Sequence, residues 1–379
     1  MKVLSIFGTR PEAIKMAPVV KALEANPEIE SLVAVTAQHR EMLDQVLELF
    51  EITADFDLDI MKANQDLYDV TSRVLLGLRD VLSECKPDLV LVHGDTTTCF
   101  SAALAAFYQH IPVGHVEAGL RTGNMLAPFP EEANRSLVGR IASLHFAPTE
   151  TAKQNLLNEG IAEDKILVTG NTVIDALLSV REKIKNYKPE QWAPKLPAHC
   201  IDKIAAKPGR FILITGHRRE NFGQGFIDFC TALKTIATEK PDWLLVYPVH
   251  LNPNVQKPVK EALGGCENIL LIEPQDYLPF VWLLDKCDMV ITDSGGIQEE
   301  APSFGKPVLV TREVTERPEA VEAGTVRLVG TDPTKIIENT SDILCNESTY
   351  KVMSEAHNPY GDGEAASRIN HAINSVITP

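Results

Sequence analysis

Short runs of strand-forming apolar residues recur along this chain, and segments of helix length lie between them. Val3–Phe7, Leu32–Thr36, Leu89–His93, Pro112–Val116 and Ile166–Thr169 are the runs of the first half. Pro11–Ala25, Arg40–Phe50, Leu67–Glu84 and Thr97–Gln109 fill the gaps with helical patterns. Runs that are apolar throughout, rather than alternating, suit strands covered on both faces. Strands of that kind separated by helices imply a parallel sheet with helices on each side. The rhythm breaks over Lys183–Arg210, which carries Pro189, Pro194, Pro197 and Pro208 among many polar groups and reads as a handover between domains. It restarts with Phe211–Thr215, Trp243–Tyr247, Ile269–Ile272, Met289–Thr292 and Pro307–Val310, and Gly361–Ile377 closes the chain as a helix. The expected fold class is α/β: two doubly wound domains over 1–180 and 181–360, followed by a terminal helix over 361–379. A length of 379 residues accords with that division at roughly 150 residues per domain. No repeat, low-complexity tract or heptad run competes with it.

The charge narrows the partners. With 36 basic and 52 acidic residues the net charge is −16, which favours solubility and lacks the basic footprint of a general nucleic-acid binder. Local cations and helix ends can still hold a diphosphate in an acidic protein. The cysteines at 85, 99, 200, 230, 266, 287 and 345 form no C-x-x-C pair, so reduced thiols in a cytoplasmic protein are expected, not a disulfide framework or a zinc site. The first residues, MKVLSIFGTRPEAIK, lack the features of a signal peptide. No apolar run approaches the roughly 18 residues that a membrane span needs.

In an open parallel sheet, ligands bind beyond the carboxyl ends of the strands. The residues just after each run are therefore the candidates. Phe7-Gly8-Thr9-Arg10-Pro11 ends a strand at a glycine and starts a helix, with Arg10 and Lys15 beside its amino terminus. That arrangement suits a phosphate, although solvated charges around a capped helix are an equal alternative. Neither the G-x-x-x-x-G-K-[ST] loop nor G-x-G-x-x-G follows the first strand, so ATP and nicotinamide signatures are absent. His93-Gly94-Asp95 delivers Asp95 to a strand end, either as an N-cap or as a reacting acid. Glu117, after Pro112–Val116, has no capping explanation. Pro130-Glu131-Glu132 adds two acids at a helix start, where the helix dipole alone could account for them, more so for Glu132 than for Glu131. Carboxylates gathered at one sheet edge are the stock for general acid–base work, and crowding splits their proton affinities.

The second half offers cations and glycines. Thr215-Gly216-His217-Arg218-Arg219 ends a strand in a candidate proton carrier, His217, with arginines that pair with carboxylates of the other domain in this reading. Asp293-Ser294-Gly295-Gly296 exposes backbone N–H groups at a helix start and adds the Ser294 hydroxyl, an apparatus for a diphosphate. Glu300 lies about one helical turn on, placed to accept ribose hydroxyls, and Arg317 adds a cation. Gln275 is a candidate reader of a uracil edge. Phe280 is a candidate neighbour of that base, with core packing as the alternative. His93 and His115 read as satisfied structural histidines, and no metal site is expected.

Taken together, the runs F-G-T-R-P-E-A-I-K, H-G-D-T-T-T, H-V-E-A-G-L-R-T, P-E-E-A-N-R, G-H-R-R-E-N, D-S-G-G-I-Q-E-E-A and T-E-R-P-E-A closely resemble the non-hydrolysing UDP-N-acetylglucosamine 2-epimerases of bacteria. The likeness extends to the tail motif His357–Gly363 and is weakest over Lys183–Arg210. It implies a GT-B-type fold of two Rossmann-like domains with a deep cleft, and a terminal helix crossing back to the first domain. It implies interconversion of UDP-GlcNAc and UDP-ManNAc without a cofactor. UDP leaves by elimination to 2-acetamidoglucal and adds back, in support of surface polysaccharide synthesis. By the same resemblance Arg10, Lys15, Asp95, Glu117, His217, Gln275, Phe280, Ser294, Gly295, Gly296, Glu300 and Arg317 line the UDP-sugar site, and Asp95, Glu117, Glu131 and His217 form the catalytic set. A homodimer is implied too, and Gln38, His39 and Arg40 are candidates for a second, activating UDP-GlcNAc site. The rival readings are a GT-B glycosyltransferase using a UDP-sugar donor and a non-catalytic nucleotide-sugar sensor.

Overall fold

The computed structural model describes residues 1–37, 40–62, 65–192, 195–206, 209–218 and 221–377. Thirteen strands occur among them. They are β1 (Lys2–Phe7), β2 (Glu30–Val35), β3 (Phe56–Asp57), β4 (Leu89–His93), β5 (Val113–Val116), β6 (Leu144–Ala147), β7 (Ile166–Val168), β8 (Phe211–Thr215), β9 (Leu244–Pro248), β10 (Ile269–Ile272), β11 (Met289–Thr292), β12 (Val308–Val310) and β13 (Val326–Leu328). They form two separate sheets, ordered β3-β2-β1-β4-β5-β6-β7 and β10-β9-β8-β11-β12-β13. Every strand pairing described is parallel. The α/β class with two doubly wound units is the observed one.

The chain divides into one compact unit of Met1–Leu178 with Tyr360–Pro379, and a second of Ser179–Pro359. The first division falls inside the helix Thr172–Ile184, ahead of the proline-bearing segment. That segment folds into the short helices Pro189–Trp192 and Ala198–Ala206 of the second unit, with Trp192 packed between Tyr187 and Trp282 at ring distances of 5.1 Å each. The terminal helix Ala365–Ile377 belongs to the first unit. It packs on the helix Arg10–Glu24, and the Asp175 carboxylate accepts from the Ala366 N–H at 2.8 Å.

Burial explains the strands. Leu4, Ile6 and Phe7 of β1 and Val90, Leu91 and Val92 of β4 are fully buried, as are Ile212, Leu213 and Ile214 of β8. Each such side chain contributes roughly 1.5–3 kcal/mol through removal from water. The runs not anticipated, β3, β6 and β13, are two to four residues long and carry polar members such as His145 and Arg327. Among the described residues no helix is long and apolar enough to cross a membrane. The seven cysteines are free.

Each sheet reverses its winding between two neighbouring strands: β1 and β4 in the first, β8 and β11 in the second. The carboxyl ends beside those switch points are where a doubly wound sheet opens to a ligand.

Candidate active site

In the first unit, β1 delivers Gly8 into a tight approach. A Cβ there would lie 1.9 Å from the Thr36 hydroxyl and 2.7 Å from that of Thr98, so only glycine fits. The helix Arg10–Glu24 then starts with its own carboxylate in place. Thr9 caps it, and Glu12 accepts from the Gly8 and Thr9 N–H groups at 3.0 and 2.8 Å and from the Thr96 hydroxyl at 2.5 Å. A buried carboxylate thus takes the two N–H groups that lead into the helix, and burial raises the proton affinity of Glu12. Arg10 lies half-buried in the first turn. Lys15, one turn on, is ion-paired with Glu117.

Asp95 follows β4, but Thr96 is the cap of the next helix, accepting from Cys99 N–H at 3.0 Å. The capping explanation for Asp95 therefore falls away. Its carboxylate receives Arg135 Nη2 at 2.5 Å, and its carbonyl accepts from Asn134 Nδ2 at 2.9 Å. Glu117 follows β5 with φ +62°, the left-handed region that costs a non-glycine residue on the order of 1 kcal/mol or more. Arg135 donates to both its carbonyl and, at 3.3 Å, its Oε1, while Asn171 Nδ2 and Lys15 reach Oε2, the former at 3.1 Å. Burial opposes the charge on Glu117, yet the Lys15 and Arg135 cations hold the carboxyl well below the usual carboxylate range.

Glu131 is half-buried and opens the helix Glu131–Ile141, whose next turn carries Asn134 and Arg135, the two residues that bind Asp95. Glu132 is buried and accepts from the Thr122 and Gly123 N–H groups at 3.0 Å each, which ties down the loop ahead of the helix. His93, at the end of β4, is only 3% exposed. It is not the satisfied structural histidine expected: neither ring nitrogen has a hydrogen-bond partner among the described residues, and Nε2 lies 3.9 Å from Glu117 Oε2. His115 does find one partner, the Gly94 carbonyl at 2.7 Å, and leaves Nδ1 without one.

In the second unit, β8 and β11 end side by side, with Thr215 opposite Thr292 and their hydroxyls 2.5 Å apart. Past them come Gly216-His217-Arg218 and Asp293-Ser294-Gly295-Gly296. Asp293 accepts from the His217 and Arg218 N–H groups at 2.8 Å each. Ser294 precedes the helix Gly295–Glu300 without spending its hydroxyl on a cap. A Cβ on Gly295 would lie 3.8 Å from the Arg218 guanidinium and 4.0 Å from that of Arg317, while one on Gly296 would meet no atom within 4 Å. Two cations and a glycine pair thus share one small region, the arrangement that an anionic diphosphate requires. Arg317 is held there by an ion pair with the buried Glu299. Glu300, one residue on, is buried. Gln275 donates to the Glu273 carbonyl at 2.6 Å, and Phe280 is half-buried on the helix Tyr277–Lys286.

The acids Asp95 and Glu117 are neutralised within their own unit by Arg135 and Lys15. Arg135, Asn171, Asp293 and Glu299 were missed as site residues. Asn171 and Asp293 each lie shortly past a strand end, the signal that picked out Glu117. Arg135 had no local signal beyond its place in P-E-E-A-N-R. Arg40 sits among Asp57, Asp59 and Asp44 at 2.5, 3.3 and 3.7 Å, acidic surroundings that do not suit a second diphosphate; Gln38 and His39 lie outside the described residues. Among the described residues no His, Cys, Asp and Glu cluster is arranged to hold a metal.

Comparison with known proteins is consistent with this geometry. A family model described as UDP-N-acetylglucosamine 2-epimerase matches residues 21–374. The UDP-N-acetylglucosamine 2-epimerase of Escherichia coli K12 is 60% identical over 98% of both chains. Among solved structures, the UDP-GlcNAc 2-epimerase of Neisseria meningitidis bound to UDP-GlcNAc aligns with TM-score 0.87 and 53% identity, covering 99% of this chain and 100% of that one. The Methanocaldococcus jannaschii enzyme in complex with UDP-GlcNAc and UDP aligns with TM-score 0.79 and 34% identity over 99% and 100% of the two chains. The chain belongs to the UDP-N-acetylglucosamine 2-epimerase family.

Proposed function

We propose that this chain interconverts UDP-GlcNAc and UDP-ManNAc by eliminating UDP and adding it back. A carboxylate takes the C2 proton, the C1–O bond breaks, and UDP departs with the bonding pair, leaving 2-acetamidoglucal. UDP then re-adds at C1 while a proton arrives at C2 on the opposite face. The observation that carries this reading is Glu117: buried, in a left-handed backbone conformation, and held ionised by Lys15 and Arg135. Strain and burial of that kind persist where function maintains them. An ionised acid pinned by a lysine is a weak base. A substrate diphosphate competes with Glu117 for Lys15, and release of Lys15 raises the proton affinity of Glu117 when substrate is present. Asp95 and Glu131 complete the acid–base set, and His217 supplies a further proton carrier. Ser294, Gly295, Gly296, Arg218 and Arg317 stabilise the charge on the departing diphosphate, with Glu300, Gln275 and Phe280 serving the nucleoside.

The decisive measurement is proton NMR of UDP-GlcNAc with the purified chain in D₂O. Deuterium is expected at C2 of both epimers without any acceptor, and Glu117→Gln is expected to slow incorporation by about 10²–10⁴-fold. Turnover only with an added acceptor, and no label at C2, identifies a glycosyltransferase instead.

Free thiols and a UDP-sugar substrate fit the cytoplasm, where the product feeds surface polysaccharide synthesis. A homodimer forms in this reading through the apolar face of the helices Leu67–Cys85 and Thr97–Tyr108, which pack together and leave Tyr68 86% and Phe107 56% exposed. Sedimentation equilibrium is expected to give a dimer that Tyr68→Glu with Phe107→Glu converts to monomer. A monomeric wild-type chain removes this proposal.

A further inference from the structure

Asp293 is 1% exposed, and its two carboxylate oxygens have different surroundings. Oδ2 accepts the His217 and Arg218 N–H groups at 2.8 Å each, which fixes the turn after β8 to the end of β11. Oδ1 has no hydrogen-bond partner among the described residues and lies 3.6 Å from His217 Nδ1. A buried carboxylate oxygen left unpaired costs on the order of 1–3 kcal/mol or more, so a purely structural tie does not explain it. The His217 ring stacks on His250, with centroids 5.2 Å apart and planes 12° from parallel, and this sets its plane. Its side chain is 45% exposed. An approach of about 0.7 Å between Nδ1 and Oδ1 closes a hydrogen bond.

We propose that Asp293 is a positioning residue that holds the His217 imidazole with its proton on Nδ1 and so presents Nε2 as the working nitrogen. The proposal rests on the reading that His217 takes part in the reaction. A carboxylate behind a histidine selects tautomer and ring orientation and stabilises the imidazolium that forms when the outer nitrogen takes a proton. Among the described residues the charged and titratable groups that act on His217 are Asp293, His250 and Arg218. Burial, His250 and Arg218 lower its proton affinity, and Asp293 acts against them.

Nitrogen NMR of the full chain with labelled histidine, with His217 assigned through His217→Gln, reads the tautomer directly. The wild type is expected to carry the proton on Nδ1. In Asp293→Asn the amide oxygen takes over the backbone N–H groups and the NH₂ faces Nδ1, so the proton is expected to move to Nε2. The imidazole pKa is expected to fall further, and kcat to drop about 10²–10⁴-fold while the Kd for UDP stays within about twofold. An Nε2–H wild type overturns the proposal whether or not the variant folds. So does a variant that keeps its tautomer, or one whose tautomer changes while kcat does not. A wild-type chain that leaves UDP-GlcNAc unconverted removes the proposed activity, and the tautomer measurement still decides the role of Asp293.

Discussion

Arg135→Met is expected to lower the stability of the first unit by about 3–5 kcal/mol, the cost of removing one partner from a buried ion pair. Arg135 is buried, and its guanidinium serves the Asp95 carboxylate, the Glu117 carboxylate and the Glu117 carbonyl together. Methionine fills the space but leaves Glu117 buried with Lys15 as its remaining cation. The Glu117 proton affinity must then rise, because a charge that opposed burial is gone. Arg135→Lys keeps the charge but loses the fork that reaches both acids, so a partial recovery is expected. Urea denaturation of the three proteins measures the difference, followed in the first unit because two units need not unfold in one step. An exposed pair is worth about 0–1 kcal/mol, so a loss under 1 kcal/mol for the methionine variant would show that the site does not depend on this arginine.

Arg135 also shows where reading the chain stops. The strands that frame both units were legible because each is a run of apolar residues that must be covered on two faces. Their carboxyl ends then singled out Asp95, Glu117 and His217 without any structure. What binds those residues was not legible. Arg135 lies 40 positions from Asp95 and 18 from Glu117, and Asn171 lies 54 from Glu117. Such pairings depend on how neighbouring strands stack, which no local pattern encodes. The cap at Thr9 with Glu12 was within reach, since T-x-x-E is the local signature of a capping box. The strained φ at Glu117 had no signal at all, because glycine is the residue that ordinarily announces a left-handed position. Short strands such as β6 escaped notice because four residues or fewer, with a polar one among them, make too brief an apolar run to stand out, and the histidine of β6 has consequences of its own.

The stability of the first unit is expected to fall as the pH drops from about 6.5 to about 4. His93, His115 and His145 lie on the adjacent strands β4, β5 and β6, all buried, with His115 directly opposite His145 in register. Burial pushes His93 and His145 down to about 4 and His115 well below its ordinary value. An unfolded chain protonates these rings near pH 6.5, while the folded unit excludes the proton until about pH 4. Between those limits the unfolded state binds more protons, so stability falls as pH falls. At pH 4 each of His93 and His145 costs roughly 3 kcal/mol, and the pair costs about 6, a large share of the 5–15 kcal/mol typical of a domain. Asp175, pushed up to about 6 by burial, works in the opposite sense and offsets part of the loss over the same range. Comparing variants separates the two. Near pH 5 each of these histidines adds about 1 kcal/mol per pH unit to the slope of stability against pH. His145→Gln removes one titrating ring, and urea denaturation from pH 7 to 4.5 is expected to show a slope shallower by about that amount. Parallel slopes for wild type and variant would mean that His145 takes its proton as readily folded as unfolded, and the acid sensitivity would have to come from elsewhere.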